Sequence, residues 1–192
     1  MTDISFPASE KLLSQLPALQ LLAAIGWHIV TPVQANAERR NRLSSVLLEE
    51  TLAKQLAEIN RIRFQGETYE FSGANIQEAV QKLKSYKYDG LLHTNQELTD
   101  LLIMGTSEAQ TINGFSKSFT LNYIDWQNPE RNVFQAVPEF SVERTRSSQT
   151  VRPDIVLFVN GIPLGVIECK APSLPVGQGV TQHIRNQTDD YI

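Results

Sequence analysis

Two runs rich in Val, Ile and Leu, separated by Asn160-Gly161, constrain the fold of this chain more than any other feature. The runs cover residues 151–159 and 162–170, and each has the length and composition of a single β-strand. Asn-Gly between two such runs is a strong hairpin signal, because both residues accept the positive φ that a tight turn requires. The sequence therefore predicts a β-hairpin at 151–170.

The second arm of this hairpin ends in Glu168-Cys169-Lys170. Side chains alternate between the two faces of a strand, so Glu168 and Lys170 share one face and Cys169 points to the other. Two charged groups among apolar neighbours cost free energy unless they are paired or bound to a metal. The pattern fits either an ordinary surface salt bridge or a functional site, and the Pro153-Asp154 pair on the first arm favours the functional site.

The geometry of the turn decides whether Asp154 joins Glu168 on one face. A two-residue Asn-Gly loop places the two carboxylates on opposite faces of the hairpin. A three-residue loop at 159–161, or an equivalent bulge near Pro163 or Gly165, places them on the same face. We predict the three-residue loop or such a bulge, and therefore two acids and one amine on a shared face.

Two carboxylates and an ammonium on one strand face suit metal-dependent hydrolysis of a phosphodiester. Asp154 and Glu168 offer the hard oxygen ligands that Mg²⁺ prefers, and the backbone carbonyl of Cys169 could add a further ligand. A bound Mg²⁺ lowers the pKa of a coordinated water and offsets phosphate charge. Because Lys170 lies beside two carboxylates, we expect it to orient that water or stabilise developing negative charge rather than act as a general base.

The bulk properties limit the class of protein. The chain has 192 residues, 41% hydrophobic and 20% charged, which favours one globular domain. The net charge of −4 argues against a broad DNA-binding surface, so DNA contact has to rest on a local basic groove or on other parts of a larger assembly. The single cysteine, Cys169, excludes an intrachain disulfide and fits a cytoplasmic protein. We expect no signal peptide and no membrane segment, because no apolar run approaches about 20 residues.

Helical periodicity and strand alternation predict an α/β chain with one domain at 1–192. A mostly helical region spans 31–105, and a catalytic sheet with a following helix spans 115–192. The predicted helices are 9–25 (ending at Gly26), 42–59, 75–85 capped by Asn75, 96–104 capped by Asn95, and 179–191. The predicted strands are 27–30, 63–71 as a strand or hairpin, 119–124, 132–143 and the hairpin arms. Pro138 predicts that 132–143 lies at a sheet edge or contains a bulge.

The hairpin sequence resembles the nuclease motif of the R (restriction) subunit of type I restriction–modification enzymes, which belong to the PD-(D/E)XK nuclease superfamily. The resemblance covers most of residues 10–192 and implies a restriction-endonuclease-like core: a mixed β-sheet flanked by helices, with the helical region 31–105 inserted. It rests on Arg152-Pro-Asp-Ile-Val-Leu-Phe-Val-Asn-Gly-Ile-Pro-Leu-Gly-Val-Ile-Glu-Cys-Lys, on Tyr123-Ile-Asp-Trp-Gln-Asn-Pro-Glu-Arg-Asn-Val-Phe, on Asn75-Ile-Gln-Glu-Ala-Val and on Leu22-Ala-Ala-Ile-Gly-Trp.

The resemblance assigns the family's catalytic and metal-binding residues to Asp154, Glu168 and Lys170, with Mg²⁺ as the metal and Mn²⁺ as a substitute. Many nucleases of this fold also carry a Glu on the first core helix. Glu10 is the candidate for that role, with Glu49 and Glu50 less favoured, and a solvated helix carboxylate is the simpler reading of each.

The family carries a Gln-X-X-X-Tyr motif on the helix after the Lys strand, which we expect to contact DNA. By spacing it falls on Gln182, although Asn186 stands where the Tyr belongs. Gln187 and Tyr191 fit the motif about one turn later and are the alternative.

The resemblance also implies a larger assembly. The chain would be the N-terminal part of an R subunit that continues into ATP-driven, helicase-like motor domains and assembles with methylation and specificity subunits. The specificity subunit reads the DNA sequence, so this domain needs only phosphate contacts. No Gly-X-X-X-X-Gly-Lys-Ser/Thr loop occurs here, so ATP binding is expected only in the full-length subunit.

The predicted function is a Mg²⁺-dependent endonuclease domain acting on double-stranded DNA, a type I site-specific deoxyribonuclease. The alternatives are a catalytically silent docking or DNA-holding module and a Holliday-junction-type nuclease of the same fold. Residues outside the motif carry weaker expectations. The three histidines lack partners at ligand spacing, which disfavours a zinc site, and Trp27 and Trp126 are expected in the core. Candidates for phosphate contacts are Arg144, Arg146 and Arg152, whereas Arg39, Arg40 and Arg42 better fit a solvated helix start.

Overall fold

The computed structural model describes residues 11–87, 89–144 and 149–170, which form a mixed α/β fold and confirm the predicted fold class. A π-helical turn, Lys11–Gln15, precedes the first helix, and a 3-10 turn spans Pro129–Arg131. The helices are α1 (Leu16–Ala24), α2 (Pro32–Glu38), α3 (Glu49–Ile59), α4 (Gly73–Lys84) and α5 (Leu91–Met104). The strands are β1 (His28–Ile29), β2 (Ile62–Phe64), β3 (Glu67–Tyr69), β4 (Thr106–Ile112), β5 (Phe115–Leu121), β6 (Phe134–Pro138), β7 (Val142–Glu143), β8 (Thr150–Val151), β9 (Ile155–Val159) and β10 (Ile162–Ile167).

The chain divides into two compact units. The first comprises residues 1–46, 134–158 and 163–192, and the second comprises residues 47–133 and 159–162. The arms of the β9–β10 hairpin therefore belong to the first unit, and its tip belongs to the second. Among the described residues, no helix combines the length and apolar character needed to cross a bilayer.

A four-stranded sheet in the order β1–β6–β9–β10 forms the centre of the first unit. β1 runs parallel to β6. β9 runs antiparallel to β6, because the Glu139 amide donates to the Asp154 carbonyl (3.0 Å) at one end and the Asn160 amide donates to the Val133 carbonyl (2.8 Å) at the other. The sheet is thus mixed, as the sequence predicted.

Pro138 is the last residue of β6, which lies between β1 and β9 rather than at an edge. The predicted edge position is therefore wrong. The strand predicted over 132–143 is interrupted after Pro138, where Glu139 adopts a φ of 51°, and the chain is extended again in β7.

Helix α1 packs its apolar stripe onto this sheet. Leu22 is buried in one cluster with Ala136, Ile155 and Cys169. The helix ends as predicted, since Gly26 adopts a φ of 97° that glycine accepts without strain. The strand expected at 27–30 is present as β1.

The region after β1 differs from the prediction. Helix α2 was not anticipated, although Thr31 and Gln34 form a reciprocal capping box at its start. The helix predicted at 42–59 begins only at Glu49, because the Leu48 amide donates to the Gly161 carbonyl at 2.9 Å. A contact so distant in sequence is invisible to periodicity.

The second unit contains α3, α4, α5 and two hairpins. The β2–β3 hairpin confirms the one expected near 63–71. The β4–β5 hairpin turns at Asn113-Gly114, and its first strand was missed. Helix α4 is capped by Ser72, whereas the predicted cap Asn75 is buried and bonds the Ala109 carbonyl. Helix α5 begins at Leu91, five residues before the predicted start.

Replacement of Gly161 by Ala tests how tightly the hairpin tip is held. A Cβ there would lie 2.5 Å from the Leu48 carbonyl oxygen, and φ is +81°. Gly66→Ala is a matched control, since Gly66 has a φ of +85° and nothing within 4 Å of an added Cβ. We expect urea unfolding to show a loss of about 1–2 kcal/mol for Gly66→Ala from backbone strain, and about 1–3 kcal/mol more for Gly161→Ala from the clash. Equal losses would show that the tip is not closely packed.

Candidate functional site

The turn of the β9–β10 hairpin contains two residues. Asn160 has a φ of 52° and Gly161 a φ of 81°, the pair of left-handed conformations that defines a type I′ turn. Strand β9 ends at Val159, directly before the turn, and β10 begins at Ile162, directly after it. The predicted three-residue loop is therefore wrong, because Asn160 itself accepts the left-handed conformation.

A bulge in β10 corrects the register after the turn. In a regular hairpin with this turn, Leu157 would share its face with Leu164. Instead, a Cβ on Gly165 would lie 3.5 Å from Cδ1 and 3.7 Å from Cβ of Leu157, so these two residues share a face. One extra residue therefore lies between Ile162 and Gly165. The sequence had offered this bulge as the equivalent of the longer loop.

The bulge sets which side chains face the core. Ile155 and Cys169 are buried on the α1 side of the sheet, and Leu157 and Ile167 pack against the same cluster. The opposite face of β10 is open, since Leu164 is 47% and Val166 40% exposed. Asp154 directly precedes β9, and Glu168 and Lys170 follow the end of β10 on either side of the buried Cys169. All three side chains are half-buried.

The carboxylate of Asp154 contacts the second arm directly. Its Oδ2 accepts a hydrogen bond of 2.7 Å from the backbone N–H of Cys169. The bond ties the side chain on the first arm to the peptide that joins Glu168 and Cys169. The structure thus brings Asp154 to the Glu168-Cys169-Lys170 segment.

The backbone of Asp154 is held by two further donors. Its carbonyl accepts from the Glu139 amide at 3.0 Å and from Nε2 of Gln15 at 2.7 Å. Gln15 is only 5% exposed, although it ends the turn that leads into α1. Sequence reasoning missed this residue. The available signal was its spacing of four and seven residues from Leu19 and Leu22, which places a polar side chain in line with the apolar stripe of α1.

A network of buried amides holds the hairpin tip within the second unit. Asn160 is fully buried, and its Nδ2 donates to the Tyr123 carbonyl at 3.0 Å and to Oδ1 of Asn132 at 2.8 Å. Its Oδ1 accepts from the Val133 amide at 2.8 Å. The side-chain oxygen and nitrogen of Asn160 therefore both have hydrogen-bond partners, which offsets the free-energy cost of burying the amide group.

Several predicted site residues have other roles. Arg39 is fully buried, donates to Asn36 and to the Ser45 and Ser141 carbonyls, and lies 4.2 Å from the Phe140 ring centre. The expectation of a solvated arginine is wrong, and burial lowers the pKa of its guanidinium. Glu49 pairs with Lys84 at 2.9 Å, whereas Glu50 and Arg152 are exposed.

Trp27 is half-buried and packs on Phe134, with ring centres 5.3 Å apart. Trp126 is 57% exposed, so its expected core position is wrong. Arg144 contacts Gln149 at 3.3 Å. The described residues hold no group of three or more His, Cys, Asp or Glu side chains that could bind a metal. Glu10, Arg146, Gln182, Asn186, Gln187, Tyr191 and the helix expected at 179–191 lie outside the described residues.

Comparison with known proteins gives concordant matches. The family model described as type I restriction enzyme R protein N terminus matches residues 7–191. The type I restriction enzyme HindI endonuclease subunit of Haemophilus influenzae is 27% identical over 158 residues, 80% of this chain and 14% of the relative. The putative type I restriction enzyme MjaIXP endonuclease subunit of Methanocaldococcus jannaschii is 35% identical over 74 residues, 38% of this chain and 7% of the relative. The chain therefore spans a small part of the length of these relatives.

Replacement of Gln15 by Met tests whether the Asp154 backbone needs its buried donor. The substitution keeps a long side chain and removes the bond to the Asp154 carbonyl. We expect urea unfolding to show a loss of about 1–3 kcal/mol. The sequence predicts that Asp154 binds the metal, and on that prediction calorimetric titration should show an affinity for Mn²⁺ reduced about tenfold.

Gln55→Met is the matched control. Gln55 is 4% exposed and bonds Glu58 within the second unit. We expect that variant to lose stability and to bind Mn²⁺ normally. Wild-type Mn²⁺ affinity in Gln15→Met would show that this bond serves folding alone.

Proposed function

Because the chain belongs to the type I restriction enzyme R protein N-terminus family, we propose that it is a Mg²⁺-dependent endonuclease domain that cuts double-stranded DNA. One observation carries the proposal: the hydrogen bond from the Cys169 amide to the Asp154 carboxylate. It joins the proline-preceded acid of one arm to the Glu-X-Lys segment of the other. The relatives are named as endonuclease subunits, which supports the same reaction class.

The residues at the hairpin fit a hard divalent cation. Asp154 and Glu168 supply carboxylate oxygens, and the Cys169 carbonyl is a third oxygen donor on the same segment. The Cys169 side chain is buried in the core, so its sulfur is turned away. Mg²⁺, or Mn²⁺ in its place, would lower the pKa of a coordinated water and offset phosphate charge when bound.

Each protein residue has a distinct part in this proposal. Asp154 is held rigidly by its bonds to Cys169, Glu139 and Gln15, so its carboxylate meets the cation without reorganisation. Glu168 contributes a second negative oxygen ligand from the other arm. Lys170 provides a positive charge two residues after Glu168, where it would orient the attacking water or stabilise the negative charge that develops on the phosphate.

DNA positioning would rest on few contacts, because the chain carries a net charge of −4. Arg152 is exposed and lies two residues before Asp154, which suits a phosphate contact beside the reacting bond. Arg146, Gln182, and Gln187 with Tyr191 remain candidates for further DNA contacts. We propose that sequence recognition belongs to a specificity subunit and that ATP-driven motor domains of a full-length R subunit deliver the DNA, with a methylation subunit completing the complex.

Substitution of the three proposed catalytic residues tests the function in the assembled restriction enzyme. We expect Asp154→Asn, Glu168→Gln and Lys170→Ala each to lower DNA cleavage by at least about a hundredfold. ATP hydrolysis should stay near the wild-type rate, since the motor lies elsewhere. Glu130→Gln, at an exposed carboxylate of the second unit, is the control and should cleave normally. Cleavage that survives all three changes would refute the assignment.

Substitution of Arg152 by Ala tests the proposed phosphate contact. We expect weaker binding of duplex DNA by the chain and a salt slope of the binding constant that is smaller by about one. Arg63→Ala removes an exposed arginine on β2 in the second unit and should leave that slope unchanged. Identical salt slopes for the two variants would place the DNA away from Arg152.

A further inference from the structure

Helix α5 presents an unusual surface for a helix of a globular unit. None of the residues 92–104 is buried. Its apolar side chains are instead displayed, with Leu92 86%, Ile103 58% and Met104 65% exposed. A helix of this length is marginally stable unless it packs an apolar face against something.

An exposed tryptophan extends this apolar surface at the end of α5. The indole Nε1 of Trp126 donates to the Leu102 carbonyl at 2.9 Å, which fixes the ring beside the helix while 57% of it faces solvent. Trp, Met and Arg are the residue types most enriched at protein interfaces and at their energetic centres. A single exposed Leu is ordinary, whereas here Ile103 and Trp126 line one cavity and Leu92 lies about three turns before Ile103 on the same side of α5.

A cavity of about 310 Å³ opens at the same end of the helix. Its lining is mixed: four residues are apolar and five are polar, namely Ile59, Ile103, Ile124 and Trp126 and then Asn122, Asp125, Gln127, Asn128 and Arg131. The Arg131 guanidinium is bound to Asp125 at 2.8 Å and to the Glu58 carbonyl at 2.9 Å. The cavity therefore has a largely polar lining in which the Arg131 and Asp125 charges are paired, and Ile103 and Trp126 connect it to the exposed apolar groups of α5.

The charge of this surface selects the kind of partner. Between residues 88 and 116 the chain has no Lys or Arg, but it has four acids. One of them, Glu108, is buried against Lys82 at 2.6 Å. Asp89, Glu97 and Asp100 are exposed. An acidic surface repels DNA phosphates, so this is not a face for the DNA.

We propose that α5, Trp126 and the adjoining cavity form the docking surface for a basic amphipathic helix of a partner polypeptide. The apolar stripe of that helix covers Leu92, Ile103 and Met104 and ends against Trp126 at the mouth of the cavity. Its Lys or Arg residues face Glu97 and Asp100. This is the helix-in-groove mode of recognition. The inference is independent of the nuclease chemistry proposed for the hairpin.

The probe for this proposal is a synthetic helical peptide of about 18 residues with Leu at i, i+3, i+4 and i+7 and Lys on the other face. Its binding to the whole chain is followed by calorimetry and by tryptophan fluorescence, with Trp126→Phe to assign the signal. A second peptide replaces every Lys by Glu. We expect the Lys peptide to bind saturably, with one peptide per chain. The Glu peptide should bind at least about tenfold more weakly.

Variants of the chain test whether the peptide binds at this surface or binds non-specifically to exposed apolar groups. Ile103→Lys should weaken binding of the Lys peptide about tenfold or more, whereas Leu21→Lys, at a residue 64% exposed on α1, should not change it. The double variant Glu97→Lys with Asp100→Lys should reverse the preference toward the Glu peptide. Equal binding of both peptides, or equal loss in the Ile103 and Leu21 variants, overturns the proposal. Displacement of the peptide by duplex DNA, or self-association of the chain that Ile103→Lys abolishes, overturns the assigned occupant.

Discussion

The left-handed turn at Asn160-Gly161 is the constraint on which the candidate site depends. Asn160 is fully buried and bonds Tyr123, Asn132 and Val133, so the turn cannot slide along the strands without leaving buried amides unsatisfied. A Cβ on Gly161 would lie 2.5 Å from the Leu48 carbonyl oxygen, so a larger residue would force the backbone there to shift. Because the side chains of a strand alternate, a shift of one residue at this turn would move every charged group to the other face.

The bulge in β10 then determines the chemistry available beyond the turn. With the bulge, Cys169 lies in the core beside Ile155, and the segment of residues 168–170 runs next to Asp154. The bond between Oδ2 of Asp154 and the Cys169 amide closes the two arms at that point. The Cys169 N–H offsets part of the negative charge of the Asp154 carboxylate, because a hydrogen-bond donor favours the ionised form.

Sequence patterns predicted the features that depend on neighbouring residues, such as turns and helix ends. They did not predict the features that depend on contacts between residues far apart in the chain. Asn160-Gly161 encodes the hairpin, and Gly26 encodes the end of α1, because both require a left-handed backbone. The predicted start of α3 was wrong because the Leu48 amide donates a hydrogen bond to the Gly161 carbonyl, more than 100 residues away in the chain. Gln15 was overlooked because a polar residue in line with an apolar stripe does not reveal its partner. The roles of Glu168 and Lys170 in catalysis stay predictions, since geometry alone does not measure a reaction.

Anomalous diffraction from crystals of the chain soaked in Mn²⁺ tests most directly whether Asp154 and Glu168 bind one divalent cation together. We expect one strong anomalous peak within ligand distance of the Asp154 and Glu168 carboxylates and of the Cys169 carbonyl. The peak should be absent from crystals of the Asp154→Asn variant. A structure in which these two carboxylates lie on opposite faces of the sheet, or in which Mn²⁺ binds only elsewhere, would contradict it.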